Sequence, residues 1–304
     1  MKKIFANNIT WIDIEKPTER DLNELKKKFN LHPFIAEQFL PAIHRPKIEE
    51  YPDQLFIVLH FPVRNSKTRL SKPVELDIIV TSTTIITSHS KTIPNLEKFF
   101  NDCKTQKQHQ AQYFETSGHL LFGLLDWLVD SCLPMLDNIS ENLDKIENKV
   151  FKGKEKEMLS EIAIIKKDLL DFYRAIKPQQ SILEILEKKT VRTFGKKLKP
   201  QAQEVVGSLA RVWNVLETHR ELAASIEQTN NSLLSHKLSD IMKFLTVVSF
   251  ITFPLSVIVG FFGMNVFDNI PIVRKNPLTW MIILIFMFVT SGIMVIYFKK
   301  KKWL

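Results

Sequence analysis

The chain has 304 residues, and its 42 lysines and arginines exceed its 33 aspartates and glutamates, which gives a formal net charge of +9. This length allows about two domains. The basic residues are scattered rather than gathered with aromatic residues in one patch, which argues against a nucleic-acid partner. Two cysteines without a CxxC pair or a Cys/His cluster argue against a disulfide framework and a structural zinc.

The sequence also argues against other classes of protein. There is no phosphate-binding glycine loop, no GxSxG and no HExxH, and only eight glycines are present, so we do not expect an enzyme. Lys2 and Lys3 are followed almost at once by polar and acidic residues, unlike a signal peptide. The amino-terminal part is therefore expected to stay in the cytosol.

Residues 1–100 mix strand and helix patterns and predict a small cytosolic α/β domain. Alternating or β-branched runs predict strands at Asn8–Ile14, Leu55–Val63 and Leu76–Thr87. An amphipathic pattern predicts a helix over Thr18–Phe29, and Ile93–Phe100 opens a helical region with a proline in its first turn. The sheet is expected to be antiparallel or mixed.

The sequence predicts a cytosolic helical region over residues 101–200. His119–Leu136 is apolar enough to suggest a membrane span, but it contains Asp126 and Asp130 and is interrupted by Pro134. A carboxylate at mid-bilayer costs at least ~2.5 kcal/mol. We therefore interpret this segment as a buried helix within the cytosolic part.

Two heptad patterns follow, over Ile139–Val150 and Met158–Ile176. The basic segment Phe151–Glu157 between them predicts a turn around Gly153, so the two helices are expected to form an antiparallel hairpin. The sequence next predicts interruptions at Pro178 and at Gly195–Pro200.

A stalk helix is predicted over residues 201–243, and its apolar stripe continues without glycine or proline into the apolar run that follows. One helix from Gln201 to Phe262 would be about 60 residues long, on the order of 90 Å. His219 and Asn230 occupy seam positions of this helix. They are candidates for metal binding or gating, or for fixing register and oligomeric state, which is the commoner use of polar seam residues.

Two transmembrane helices are predicted, over residues 244–265 and 278–298. Phe244–Phe262 and Leu278–Phe298 contain no charged residue or histidine, and each is close to the ~20 apolar residues that span ~30 Å of hydrocarbon. The bilayer is thus the first predicted partner.

Topology follows from the lysines and arginines that flank the spans. Lys237, Lys243 and the run Lys299–Lys302 outnumber Arg274 and Lys275, which lie between the spans. The positive-inside rule therefore places both termini, including the basic tail 299–304, in the cytoplasm and the loop 266–277 outside.

The first span carries only neutral oxygen-bearing polar residues: Thr246, Ser249, Thr252, Ser256 and Asn265. Mg²⁺ prefers oxygen ligands and loses its water reluctantly, so such residues suit a hydrated ion. Two helices of one chain cannot enclose a water path, so a pore requires a ring of subunits. The absence of ionisable residues argues against a proton relay or a voltage sensor.

Pro254 lies in the middle of the first span, where it frees a backbone carbonyl. Neighbouring hydroxyls can satisfy such a carbonyl, and Thr252 and Ser256 are the expected donors.

A GMN tripeptide, Gly263–Asn265, ends the first span, and further matching stretches flank it and extend through the chain. They are MKFLT at Met242–Thr246, FPL at Phe253–Leu255, YFKKKKWL at Tyr297–Leu304, WIDIEKP at Trp11–Pro17, LHPF at Leu31–Phe34, RPKIEEY at Arg45–Tyr51 and IIT at Ile85–Thr87. With these motifs the whole chain resembles the CorA family of magnesium and cobalt transporters.

The resemblance implies a funnel-shaped homopentamer in the cell membrane that admits Mg²⁺ and Co²⁺, with Ni²⁺ as a further candidate, and needs no cofactor besides these ions. Gly263, Met264 and Asn265 would form the external selectivity ring, where Gly263 and Asn265 face the hydrated ion. The pore would be lined at Ser239 and Ser256 and narrowed by a hydrophobic constriction. That constriction would consist of Met242 and Leu245, and a basic ring at the cytosolic mouth would consist of Lys299, Lys300, Lys301 and Lys302.

This sequence also departs from the family pattern. Ser239 replaces a pore-lining asparagine, and Gln228 stands where relatives carry a metal-sensing aspartate. Other carboxylates are then the regulatory candidates: Glu217, Glu221 and Glu227. The outer loop is weakly basic rather than acidic, which should reduce its attraction of cations.

Two alternatives remain open. One is a zinc or nickel transporter on the same frame, against which Met264 argues because the zinc branch usually has another residue there. The other is a non-conducting, membrane-anchored coiled-coil scaffold, which does not explain an asparagine at the outer end of an apolar helix.

Overall fold

The structure is a computed structural model that describes residues 1–40, 44–65, 68, 70–263 and 277–303. The chain divides into two compact units, Met1–Glu227 and Gln228–Leu304.

A six-stranded mixed sheet organises the first unit, in the order β1-β2-β6-β5-β4-β3. β2 and β6 are parallel, and every other neighbouring pair is antiparallel. The strands are β1 (Lys2–Ala6), β2 (Ile9–Glu15), β3 (Lys47–Tyr51), β4 (Gln54–Arg64), β5 (Ser71–Val80) and β6 (Thr84–His89). The predicted α/β fold with a mixed sheet is confirmed.

One predicted strand is wrong, since Leu76–Thr87 is two strands rather than one. A turn separates β5 from β6, where the Thr81 amide donates to the Thr84 carbonyl at 2.8 Å. The Thr84 amide donates to the Thr81 hydroxyl at 2.9 Å. Threonine is β-branched and favours strands, but its hydroxyl group can also form the local hydrogen bonds that favour turns. Here the hydrogen bonds between Thr81 and Thr84 close the turn.

Seven helices complete the described part of the first unit before the long stalk helix. They are α1 (Glu19–Phe29), α2 (Pro33–Gln38), α3 (Pro94–Thr105), α4 (Lys107–Tyr113), α5 (Ser117–Asp130), α6 (Leu133–Phe151) and α7 (Glu155–Phe194). Thr18 and Asp21 form a capping box at the start of α1. Helices α1 and α2 bury Leu25 and Ile35 against Phe56 and Ile79 on one face of the sheet.

The apolar helix α5 is buried, as its two aspartates led us to expect. By length and composition alone, Ser117–Phe151 could cross a membrane, but half of its most apolar window is buried inside the chain. The corresponding windows of the two carboxy-terminal helices are only 6% buried.

Helices α6 and α7 are joined at Gly153, whose φ of +86° requires a residue without a side chain. The interruption expected at Pro178 is wrong, because α7 continues through Pro178 to Phe194. Buried residues on both sides hold the helix there, and the Gln179 side chain donates to the carbonyl of Ala175 at 2.9 Å and to that of His60. Tertiary packing overrides the local preference of proline.

Helix α8 extends over Lys199–Gly263 as one 65-residue helix, which is preceded by a short 3₁₀ turn at Lys196–Leu198. Helix α9 covers Pro277–Lys300. Within the second unit, Val247 is buried and the rings of Phe250 and Phe298 lie 6.2 Å apart, so α8 and α9 pack together.

Candidate ion pathway

The apolar parts of α8 and α9 leave most of their large side chains exposed within the chain. Phe253 is 71% exposed and Phe288 is 83% exposed. So much exposed hydrocarbon requires an apolar surrounding, either lipid or further copies of the chain.

The predicted pore-lining side chains occupy one stripe of α8. At 3.6 residues per turn, they fall within an arc of about 140°. The stripe consists of Ser239, Met242, Leu245, Thr246, Ser249, Thr252, Ser256 and Gly263. Val247, which is 1% exposed and belongs to the second unit, lies about 150° from the centre of this arc. The stripe therefore points away from the side on which Val247 is buried.

Three hydroxyl groups of this stripe donate to the helix backbone. Thr246 donates to the Met242 carbonyl at 2.7 Å, Thr252 to the Val248 carbonyl at 2.9 Å, and Ser256 to the Thr252 carbonyl at 3.0 Å. A hydroxyl oxygen that donates in this way keeps lone pairs for a second partner. The stripe can thus accept hydrogen bonds from the water shell of a cation without any formal charge.

The expected role of Thr252 and Ser256 beside Pro254 is wrong. Pro254 removes the bond to the carbonyl of Phe250, four residues earlier. Hydroxyls on a helix reach the carbonyls three or four residues before them, and neither position has that spacing from Phe250.

The selectivity ring lies mostly outside the described residues. Gly263 is the last described residue of α8, and a Cβ atom added there would meet nothing within 4 Å. Met264, Asn265 and the loop with Asp268, Arg274 and Lys275 are not among the described residues. Their roles stay predictions.

The basic tail begins in the last turn of α9, where Lys299 and Lys300 complement the helix dipole. Lys301 lies over the ring of Tyr297 at 5.4 Å, and Trp303 stacks on Phe298 at 5.9 Å. The four lysines Lys299–Lys302 are exposed, as a ring at an aqueous mouth requires.

Two of the three regulatory candidates form ion pairs in the first unit. Glu217 accepts from Arg220 at 2.7 Å, and Glu227 accepts from Lys166 at 2.5 Å, whereas Glu221 is exposed. Among the described residues of one chain, no group of three or more His, Cys, Asp or Glu side chains could hold a metal ion.

His219 and Asn230 are both buried in the chain. His219 is 8% exposed, and burial lowers its pKa while Asp137 and Asp144 act in the opposite direction. Asn230 is fully buried, and neither polar atom of its side chain has a hydrogen-bond partner in the described part of the chain. Nothing in this geometry gathers metal ligands around either residue.

One aromatic contact between α7 and α8 in the first unit was not predicted from the sequence. The rings of Tyr173 and Trp213 are 5.3 Å apart, with Lys177 over Trp213 at 4.1 Å and Arg220 over Tyr173 at 4.4 Å. The signal was a tyrosine and a tryptophan outside the apolar seam, with Lys177 one turn after Tyr173 and Arg220 two turns after Trp213. This cation–π stack attaches α8 to the rest of the first unit.

Comparison with known proteins identifies the family. The sequence profile of the CorA-like Mg²⁺ transporter proteins matches residues 6–300. The cobalt/magnesium transport protein CorA of Thermotoga maritima is 27% identical over 97% of this chain and 83% of its own length. That of Methanocaldococcus jannaschii is 25% identical over 97% of this chain and 92% of its own length.

The fold agrees with this assignment. The complete structure of the CorA magnesium transporter from Methanocaldococcus jannaschii matches with a TM-score of 0.86 at 24% identity, over 100% of this chain and 95% of that chain. The chain belongs to the family of CorA-like Mg²⁺ transporter proteins.

Proposed function

We propose that the protein conducts Mg²⁺, and also Co²⁺, into the cytosol across the cell membrane. The observation that carries this proposal is the stripe of neutral oxygen atoms on α8, on the face opposite the buried Val247, in a chain whose family is that of Mg²⁺ transporters. Both termini lie in the cytoplasm. In the oligomer, the copies of α9 lie around the conducting α8 helices and support them.

The pore is formed by five copies of α8, since one pair of helices cannot enclose water. The exposed side chains of Met242 and Leu245, each 55% exposed in one chain, then form a narrow apolar ring. Such a ring closes a pore by excluding water, and it opens when the helices separate. The exposed apolar surface elsewhere on α8 and α9 is covered by lipid and by neighbouring copies.

Recognition acts on the hydrated ion at the outer end of α8. Mg²⁺ demands octahedral geometry and dehydrates reluctantly, so a ring that accepts hydrogen bonds from its water shell binds it without removing that shell. The Asn265 side chains and the Gly263 carbonyls supply this ring. The driving force is the inside-negative potential, about 2.3 kcal/mol per charge per 100 mV and twice that for a divalent ion.

The proposal is tested by Mg²⁺ uptake into proteoliposomes that contain the wild-type protein, Asn265→Ala or Asn276→Ala. Asn265→Ala should abolish uptake while the oligomer remains assembled. Asn276→Ala, a matched asparagine of the external loop, should conduct as the wild type does. Uptake by Asn265→Ala at the wild-type rate would refute the selectivity ring, and faster uptake of Zn²⁺ than of Mg²⁺ would refute the assignment of the ion.

A further inference from the structure

The turn between α6 and α7 exposes apolar and basic side chains together. We call Lys149–Leu159 the hairpin tip. Phe151 is 67% exposed and Leu159 is 46% exposed, although Val150 and Met158 beside them are 1% and 4% exposed and fix the hairpin from within. The exposure of Phe151 and Leu159 therefore belongs to a well-packed turn rather than to a loose chain end.

The surface of the hairpin tip is basic. It carries four exposed lysines: Lys149, Lys152, Lys154 and Lys156. Of the two acidic residues in the tip, Glu155 is only 4% exposed, and Glu157 is exposed at 3.9 Å from Lys154. Four lysines and one exposed glutamate thus surround an exposed phenylalanine.

The position of the tip within the first unit follows from contacts between α7 and α8. Tyr173 contacts Trp213 and Lys166 contacts Glu227, so the two helices run antiparallel. From Lys166, α7 extends 11 residues further toward the tip, about 16 Å at 1.5 Å per residue. Glu227 is the last residue of this unit. The tip thus stands at the end of the unit from which the chain leaves for its apolar helices.

We propose that the hairpin tip binds anionic lipid headgroups of the cytosolic leaflet. The lysines pair with lipid phosphates, and Phe151 inserts its ring at the level of the headgroups. Each lysine near an anionic surface strengthens such binding, and an aromatic ring anchors at the interface because it is apolar over most of its area. This contact is separate from ion conduction and does not depend on which ion crosses.

The same chain supplies a matched control surface. Helix α1 ends with Lys26, Lys27 and Lys28, all exposed, and Phe34 on α2 is 58% exposed. This surface has similar composition and exposure to the hairpin tip, but it lies on the helices that cover the sheet.

The experiment places a fluorophore on Ser160→Cys in the full-length protein, reconstituted into nanodiscs. Ser160 is exposed, while Cys103 and Cys132 are 0% and 1% exposed, so the label reacts at the introduced thiol. The nanodiscs contain phosphatidylcholine, with or without phosphatidylglycerol, and a lipid whose headgroup bears a nitroxide quencher. Quenching reports how close the tip lies to the headgroups.

Quenching should be stronger in the anionic nanodiscs and should decrease as salt is added. Replacing Lys152, Lys154 and Lys156 by Gln, or Phe151 by Ser, should reduce quenching at least about twofold, because each lysine contributes on the order of a fivefold factor in binding. The same changes at Lys26, Lys27 and Lys28, or at Phe34, should leave quenching unchanged.

Two results would overturn the proposal. Equal quenching with and without anionic lipid, unaffected by the tip variants, would show that the tip stays in water. Energy transfer between labelled tips in lipid-free detergent, lost in the tip variants, would show that the patch contacts a second copy. Neither result depends on Mg²⁺ uptake, so the proposal can fail while the proposed function stands.

Discussion

The two units of the chain differ in how far they bury their own apolar side chains. In the first unit, Ile57 on β4 and Leu124 on α5 are fully buried by other parts of the same chain. In the second unit, Phe253 and Phe288 are 71% and 83% exposed. One chain therefore buries the apolar side chains of the first unit but leaves many of those in the second exposed, where they require a further apolar surrounding.

Substitutions in the two units should therefore have different consequences. Changes in the first unit should act mainly on the stability of the single chain, whereas changes in the second unit should act on insertion, assembly and conduction.

The largest expected effect is at Trp11. Its side chain is fully buried, it donates to the Thr87 hydroxyl at 3.1 Å, and its ring lies 4.8 Å from that of Phe100. Trp11→Ala should destabilise the first unit by about 3–5 kcal/mol because it leaves a large cavity. Phe253→Ala, measured by the same thermal unfolding of the first unit in detergent, should leave the transition unchanged. Similar losses in both variants would contradict the distinction between the units.

A smaller effect, dependent on pH, is expected at Asp77 on β5. Burial raises the pKa of this carboxyl from its ordinary value of 3.8 to about 8, and the charge of Glu75 adds to the shift. The folded state therefore retains a proton that the unfolded chain releases above pH ~4, so this group lowers stability progressively between pH ~4 and ~8.

Asp77→Asn should consequently stabilise the protein at pH 8 by roughly 1–3 kcal/mol and have little effect at pH 4. Unfolding measured across this range tests the expectation. A constant difference between variant and wild type at every pH would show that the Asp77 carboxyl does not titrate as described.

The smallest effect is expected at the cation–π contact between α7 and α8. Arg220→Met should cost about 0.5–1 kcal/mol, since the guanidinium is partly exposed over Tyr173. Because Arg220 also pairs with Glu217, Glu217→Gln serves as the control for the loss of that ion pair, which is partly exposed and should contribute less. A double-mutant cycle with Tyr173→Leu should show coupling between Arg220 and Tyr173, and strict additivity would contradict the contact.

The sequence predicted the features that repeat over many residues. Three of these features rest on a local pattern that has one physical interpretation. They are the apolar runs of α8 and α9, the heptads of the α6–α7 hairpin and the start of α1 at Thr18. Strands β1 and β3 were missed because each has five residues and contains exposed charges, so only pairing with β2 or β4 defines them.

The remaining errors come from interactions that composition does not encode. Pro178 was read as an interruption, but burial of Gln179 and its neighbours keeps the helix intact. Thr252 and Ser256 do not reach the carbonyl that Pro254 leaves free, because neither residue lies three or four positions after Phe250. Of the candidate pathway, the stripe on α8 could be predicted from spacing, but its orientation could not, because it depends on the side on which Val247 is buried.

The most direct test of the account is Mg²⁺ uptake into proteoliposomes at a series of imposed membrane potentials. Uptake should increase as the interior becomes more negative, and the reversal potential should shift by about 30 mV per tenfold change in the Mg²⁺ gradient, as for a divalent ion. Uptake that is independent of potential, or no uptake by an assembled oligomer at low internal Mg²⁺, would contradict the claim that this protein is a conducting pore.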